Sequence, residues 1–536
     1  MKKSYIYILI VILMIILVVI NQKKDSKSFT VNGVKYSTSL DGNSIDSFPS
    51  KGNYEVEVDC TNAKGSWNYN KWVARINNIT GKVSCNISFT SKTPTNINNY
   101  IKGLAGTTQG TGQLVHEEMD YTTPTKEVNY KLSQSQYGTT SQYSASSYSS
   151  SSGTAVTNAF SYSNGVWTSN PSNLTSNTYY HLKYTIPENG YYQLCYTLSS
   201  GSTDNSLYIY KGSTKIEING SSYLSASSSS DKNGCINMGN LSTSDSLRVV
   251  QRAYTTISTA TFYLNKMNTA HYDTGYRYEG KNPNNYIYFN NELWRIIGVF
   301  DSSSHGKAGE YLTKIIRNDS LGGYVWDRSF GGKNNWATSL LYNLLNTNYY
   351  NATDGTSGGN CYQDVHSTAS NCDYTETGIQ SEYRSMVENV TWYLGGNDGD
   401  TYTSNAFYAG ERDSSSVYSG NTASITGYIG LMYASDYGYS VLSSSCPRTV
   451  NLNTKSYGTN ACGGSSWLKK ESAEQTITHY IFSSSYLFTI LGSLYLYNNP
   501  TITGYSTRPV LYLKSNVQVY AGNGSISNPY QIKLAS

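Results

Sequence analysis

Eight cysteines, at positions 60, 85, 195, 235, 361, 372, 446 and 462, set the outline within which this chain can fold. Their number is even and no two form a C-x-x-C, so a disulfide framework is the default reading and zinc or a redox dithiol is a poor rival. The spacing favours neighbour pairing: Cys60 with Cys85, Cys195 with Cys235, Cys361 with Cys372 and Cys446 with Cys462. Each bridge then contributes up to ~3–4 kcal/mol by restricting the unfolded chain. The competing reading leaves eight free thiols. Bridges require an oxidising compartment, so the pattern expects an exported protein.

The first residues supply a route of export. A basic head, Met1-Lys2-Lys3, precedes an uncharged apolar run over 5–20, and Lys23 and Lys24 follow. That arrangement reads as an export signal. A spanning helix needs roughly 17–25 apolar residues, so the run is at the short end. Val18-Val19-Ile20-Asn21 offers bulky side chains where a signal peptidase needs small ones. The expectation is a single-pass N-terminal anchor with the body outside the cell; the alternative is secretion after cleavage.

Charged residues make up 14% of the chain, against the usual ~25%. There are 53 tyrosines and 46 glycines, and aromatics reach 13%. Disordered chains are poor in aromatics and rich in net charge, so this one is expected to fold. A formal charge of +4, dispersed along 536 residues, argues against a nucleic-acid partner.

The chain divides by rhythm. Residues 1–27 are the signal or anchor. Residues 28–94 read as a small β domain, because apolar and polar residues alternate in Tyr54-Glu55-Val56-Glu57-Val58-Asp59-Cys60 and again from Val83 to Phe89. Cys60 and Cys85 fall on the apolar sides. Residues 95–153 read as a short helix over 96–104 followed by a Ser/Tyr-rich, low-complexity linker. Residues 154–268 read as a β-sandwich: Tyr192, Leu194, Tyr196 and Leu198 alternate, as do Leu247 and Val249, and Ala260, Phe262 and Leu264. This stretch weakly resembles the jelly-roll modules of secreted bacterial proteins, which implies an accessory binding role.

Residues 273–536 have a different pattern. Asn290-Asn291 reads as a hairpin turn between two apolar strands, and residues 314–317 as a third strand. One helix is expected on Trp336, Leu340, Leu341, Leu344 and Leu345, capped by Asn334 or Asn335. A second is expected on Ile379, Tyr383, Met386, Val387 and Val390, ending at Gly395-Gly396. Two late strands complete an α+β domain. This half of the chain resembles bacterial surface proteins with a C-type-lectin-like, formylglycine-generating-enzyme-related domain. The motifs that carry the likeness are Asn290-Asn291-Glu292-Leu293-Trp294-Arg295-Ile296-Ile297-Gly298, Trp392-Tyr393-Leu394-Gly395-Gly396, Gly430-Leu431-Met432-Tyr433-Ala434-Ser435-Asp436 and Arg508-Pro509-Val510-Leu511-Tyr512-Leu513. The fold class expected is therefore multidomain: two all-β sandwich-like domains followed by an α+β C-type-lectin-like domain.

The resemblance implies a ligand face before the closing strand, here 480–505. Tyr486, Phe488, Tyr495, Tyr497, Asn498, Asn499 and Tyr505 are its candidate contact residues. Tyrosine gives contact area at low entropy cost and Asn adapts its hydrogen bonds. The competing reading places Tyr486, Phe488 and Ile490 in the core. The triplets Glu-Pro-Asn and Trp-Asn-Asp of calcium-dependent lectins are missing from the sequence, and Asn397-Asp398-Gly399-Asp400 reads as a polar turn. Six scattered histidines share no metal-ligand spacing. No catalytic residue, metal or cofactor is expected. The function expected is membrane-anchored binding or adhesion to an extracellular protein or glycan. The alternatives are a carbohydrate-binding wall protein using the middle sandwich, or an enzyme.

Overall fold

The computed structural model describes residues 27–31, 34–38, 49, 51–69, 72–78, 80, 84–124, 140–186, 188–202, 204–218, 221–226, 230–254, 258–328, 333–399, 401–454, 457, 462–470, 472–493 and 495–535. The apolar run at 5–20 lies outside them. Among the described residues no helix is long and apolar enough to cross a membrane. The protein is multidomain and β-rich, with 46% of residues in strands and 11% in helices. Two compact units form, Asp120–His271 and the pair of segments Met1–Met119 and Tyr272–Ser536. All four expected disulfides are present.

The middle unit is a sandwich of two sheets. One sheet centres on Thr178–Thr185, Ser246–Ala253 and Ser206–Lys211. The other centres on Gly190–Leu198, which pairs with Lys232–Leu241 and with residues 260–267. Period-2 alternation explains the core. Tyr192, Leu194, Tyr196 and Leu198 point inward from one sheet, and Leu182, Leu207, Ile209, Leu247 and Val249 from the other. Cys195 takes the opposite parity, so its bridge crosses to Cys235 directly opposite on the neighbouring strand. The low-complexity stretch departs from the linker expected of it. Ser141–Ala145 is a strand paired with Thr178–Thr185, and its central Tyr143 is buried. Ser and Thr hide strand alternation from a hydropathy pattern, while the tyrosine supplies the burial.

The other unit begins with a small β assembly. Tyr54–Thr61 pairs with Ser84–Ser91, and Cys60 stands directly opposite Cys85. Val56, Trp67, Tyr69, Ala74, Ile87 and Phe89 form its core, to which Ala521 adds. The helix Ile97–Lys102 forms as expected, with Asn96 as N-cap and Gly103 as C-cap. It is no part of a linker. Ile97 and Ile101 are buried in the core of the C-terminal region, and Thr95–Asn96 pairs with Val517–Ala521.

The principal sheet of that region is built on Glu292–Phe300. Tyr286–Phe289 pairs with it through a two-residue turn, Asn290-Asn291, in which both residues have positive φ. That is the left-handed pair a tight hairpin needs. Leu312–Arg317 pairs on the other side and carries Val510–Tyr512. The expected helices are only partly realised. Trp336–Thr338 is a 3-10 turn capped by Asn335, followed by Leu340–Asn343 and a π-helical Leu344–Tyr349. In the second, only Ser381–Arg384 is helical. Val390–Tyr393 is a strand paired with Ser424–Gly427. Val390, Thr391, Trp392 and Tyr393 are β-branched or aromatic, and local strand preference wins over the 3–4 spacing. Three helices escape sequence reading: Ser302–His305, Ser404–Arg412 and Ala434–Tyr439.

Candidate binding surface

The four motifs that carry the lectin-like resemblance are buried framework. Asp436 accepts from Arg277 Nη1 at 2.8 Å, from Lys314 Nζ at 2.5 Å and from the Tyr433 amide at 2.9 Å. All three charged side chains are buried. Burial alone raises the Asp436 carboxyl, but Lys314 and Arg277 outweigh it and hold the group at about 2. Burial pushes the Lys314 ammonium down to about 8 against the pull of Asp436. Glu411 accepts from the Ser435 amide and from Thr478 Oγ1 at 3.0 and 2.7 Å, and also from the Ser435 hydroxyl. Arg508 meets Glu474 through two bonds of 2.6 and 2.9 Å. Gly430 lets the chain cross the face of Trp392, where an added Cβ would sit 2.6 Å from the ring. These pairs neutralise one another's charge within the core.

The 480–505 stretch belongs to a five-stranded sheet in the order Gly323–Tyr324, Tyr505–Ser506, Glu474–His479, Tyr486–Ile490, Leu496–Pro500. Its loop, residues 480–486, is pinned by buried Asn334. The Asn334 side-chain amide donates to the carbonyls of Tyr480, Ser483 and Tyr486 at 2.8–2.9 Å, and its backbone amide donates to Ser484 O at 2.6 Å. Asn421 Nδ2 donates to Asn334 Oδ1 at 2.7 Å and fixes the amide's orientation. On this fixed loop Phe482 is 66% exposed, and Tyr486, at its end, is 37% exposed. Tyr497 is 46% exposed on the outermost strand. Three of the six exposed large apolar side chains among the described residues therefore fall within 482–497. Phe482 and Tyr486 share the loop, whereas the register turns Tyr497 to the side of the sheet opposite Tyr486. Exposed apolar side chains held near one another mark interaction surface more than scattered single residues do.

The seven candidate contact residues do not share one face. Phe488 is a correction: it is fully buried, edge-on to Phe407 at 4.9 Å. Both sides of Tyr486–Ile490 are covered, because Leu487 and Thr489 are buried as well. The register sets Tyr497 opposite Thr489 and Asn498 opposite Phe488, so Tyr497 and Asn499 lie on one side of the edge strand and Asn498 on the other. Asn499 donates to Thr489 Oγ1. Tyr495 and Tyr505 are partly exposed. Tyr505 sits three strand positions from Tyr497, about 14 Å away, and pairs with Tyr324. Phe482, Asn334 and Asn421 were not among the sequence candidates. The signal for Phe482 was a lone phenylalanine before Ser483-Ser484-Ser485. Asn421 gave none and Asn334 was marked only as a candidate helix cap, since the partners of both are distant in sequence.

Other chemistry is sparse. His116 Nε2 lies 3.0 Å from Asp273 Oδ1 and its ring stacks on Tyr276 at 4.2 Å, but no nucleophile contacts the ring among the described residues. Burial lowers His305, and drives His479 down to about 4. No cluster of potential metal ligands occurs among the described residues. Asn397 Oδ1 accepts from the Gly399 amide at 2.8 Å, the geometry of a polar turn, and Asp400 lies outside the described residues. A cleft of about 190 Å³ between Trp67, Tyr69, Tyr288 and Ile526 is lined by no carboxylate, histidine, lysine or cysteine among the described residues.

No protein-family model and no curated protein matches the chain. Among solved structures, it is similar to the secreted serine protease VesC from Vibrio cholerae, at 10% identity and a TM-score of 0.15, covering 37% of this chain and 32% of that one. It is also similar to TmCBM61 in complex with β-1,4-galactotriose, at 11% identity and a TM-score of 0.14, covering 27% and 88%. Likenesses at these scores carry no argument about fold or function.

Proposed function

We propose that this chain is a membrane-anchored extracellular binding protein whose C-type-lectin-like C-terminal region contacts a protein or glycan ligand through the loop 480–486 and the edge strand Leu496–Pro500. The observation that carries the reading is the exposure of Phe482 and Tyr486 on a loop held by Asn334, with Tyr497 exposed on the edge strand of the same sheet. Aromatic side chains on rigid backbone lose little entropy on binding and are the residues that dominate contact energy. The disulfides support the extracellular setting, since bridges persist in oxidising compartments. The anchor rests on the apolar run at 5–20, and the lectin-like assignment rests on the four motifs.

The test is an array of immobilised glycans and extracellular proteins, probed with the full chain and with the Phe482→Ala/Tyr486→Ala/Tyr497→Ala variant. Probes retained by the parent are expected to lose at least about tenfold in affinity, a change of about 1.4 kcal/mol. Equal binding by the two proteins refutes the assignment of this surface.

A further inference from the structure

The middle unit carries a second constellation, on the side of its sheet turned away from the sandwich core. Directly paired residues share a face. Lys183, Arg248, Tyr210 and Lys215 form one row across four strands. Tyr143, His181, Val250 and Tyr208 form the next, and Tyr179 and Arg252 belong to the third. The intervening positions, such as Leu182, Val249 and Ile209, fill the core. The charged residues on this face of the paired strands are all cations.

The Ser/Tyr-rich segment after Tyr143 folds back onto this face and is locked there. Arg248 Nη1 donates to Tyr148 O at 3.3 Å and to Ser150 O, and it meets His181 Nδ1 at 3.1 Å. Tyr143 Oη donates to Ser150 O at 3.0 Å. The lock sets the Tyr148 ring parallel to Tyr208 at 4.6 Å, with Tyr179 edge-on at 5.9 Å. Tyr223, 44% exposed, stands 5.4 Å from Tyr208 on the surface. Cations are interleaved with these rings: Lys215 Nζ lies 5.3 Å from the Tyr148 centroid, and the Arg252 guanidinium 5.8 and 5.4 Å from Tyr179 and Tyr254. Arg248 is consumed by the lock. Lys183, Lys215 and Arg252 form no ion pair among the described residues; the pairs in this unit are Lys266–Glu188 and His271–Asp120.

Half-exposed tyrosine rings fixed in place, with unpaired cations between them, complement a chain of flat rings that carries regular negative charge. The disulfide-bonded body sets the encounter in an oxidising compartment, where a polysaccharide meets that description and a polynucleotide is out of place. We propose that this outward face is a binding site for an acidic polysaccharide, whose uronate carboxylates meet Lys183, Lys215 and Arg252 while its sugar rings lie against Tyr148 and Tyr223, which buried Tyr208 supports from beneath. The site is independent of the 480–500 surface and stands whether or not that surface binds.

The experiment measures affinity of the full chain for polygalacturonate, with dextran, polyglutamate and oligothymidylate as competitors of defined chemistry. Binding to polygalacturonate is expected to weaken as salt rises. It should fall about tenfold in Lys183→Gln/Lys215→Gln, two changes at positions outside the core, and further with Arg252→Gln added. Tyr223→Ala should weaken polygalacturonate several-fold and leave polyglutamate unaffected. Failure of the parent to bind polygalacturonate overturns the proposal, as does binding that the lysine and arginine variants leave unchanged. Equal or tighter binding of dextran, polyglutamate or oligothymidylate overturns it too, and names a neutral glycan, an acidic protein or a polynucleotide instead.

Discussion

Asp436 is the residue on which the buried charges of the C-terminal region converge. Replacing it by Asn leaves Lys314 and Arg277 buried with no countercharge. Asp436→Asn should cost about 3–5 kcal/mol, read as a lower urea midpoint. The pH dependence has a definite sign. The folded carboxyl sits near 2, below its ordinary 3.8, so the unfolded chain binds the proton more readily. The stability contributed, about 2 kcal/mol, is complete above about pH 4 and is lost as pH falls through about 2. An acid titration of the urea midpoint that shows no loss in this window contradicts the assignment. Asn334 makes a second residue-scale case. Asn334→Ala leaves the carbonyls of the 480–486 loop short of donors and should cost about 1–3 kcal/mol. Amide exchange in that loop should accelerate while the strand Glu292–Phe300 stays protected. At this scale the sequence was legible where chemistry is local. The four cysteine pairs are the neighbour pairs that the spacing favours, and Asn96 and Asn335 cap the turns they precede. Asp436 was invisible as a charge centre because its partners lie 122 and 159 residues away.

The elements show the same divide between local and distant causes. The Asn290-Asn291 hairpin and the alternating strands of the middle sandwich were readable, because turn chemistry and period-2 burial are written within a few residues. The helix Ser404–Arg412 was not, since its buried side includes Glu411, a charge that only tertiary bonds to Ser435 and Thr478 make tolerable. The strand Ser141–Ala145 was masked by its own composition. Two predictions belong here. Gly430→Ala forces a methyl against Trp392 and should destabilise by about 1–3 kcal/mol, measured by thermal unfolding. Removing the bridge between Gly190–Leu198 and Lys232–Leu241 with Cys195→Ala/Cys235→Ala should cost about 2–4 kcal/mol. The middle unit, where both strands lie, should then melt before the rest of the chain.

On the scale of the whole molecule, the chain order is not the order of the units. Residues 95–119, expected as helix and linker, contribute Ile97, Ile101 and Leu114 to the core of the C-terminal region. A linker and a buried amphipathic helix differ in what they touch, and a single sequence does not state that. The motifs behind the resemblance lie in the buried scaffold, and exposure on the separate five-stranded sheet and its loop makes the candidate surface. Of the expected contact residues, Tyr486 and Tyr497 are exposed and Phe488 is core, while Phe482 was overlooked. The account therefore rests on one claim, that the exposed aromatics at 482–497 are where a partner sits. Hydroxyl-radical footprinting of the full chain, alone and with the tightest binder from the array, tests it most directly. The account predicts protection at Phe482, Tyr486 and Tyr497, with Tyr191 and Tyr223 in the middle unit unchanged. Protection elsewhere, with those three side chains oxidised as fast as in the free protein, would contradict it.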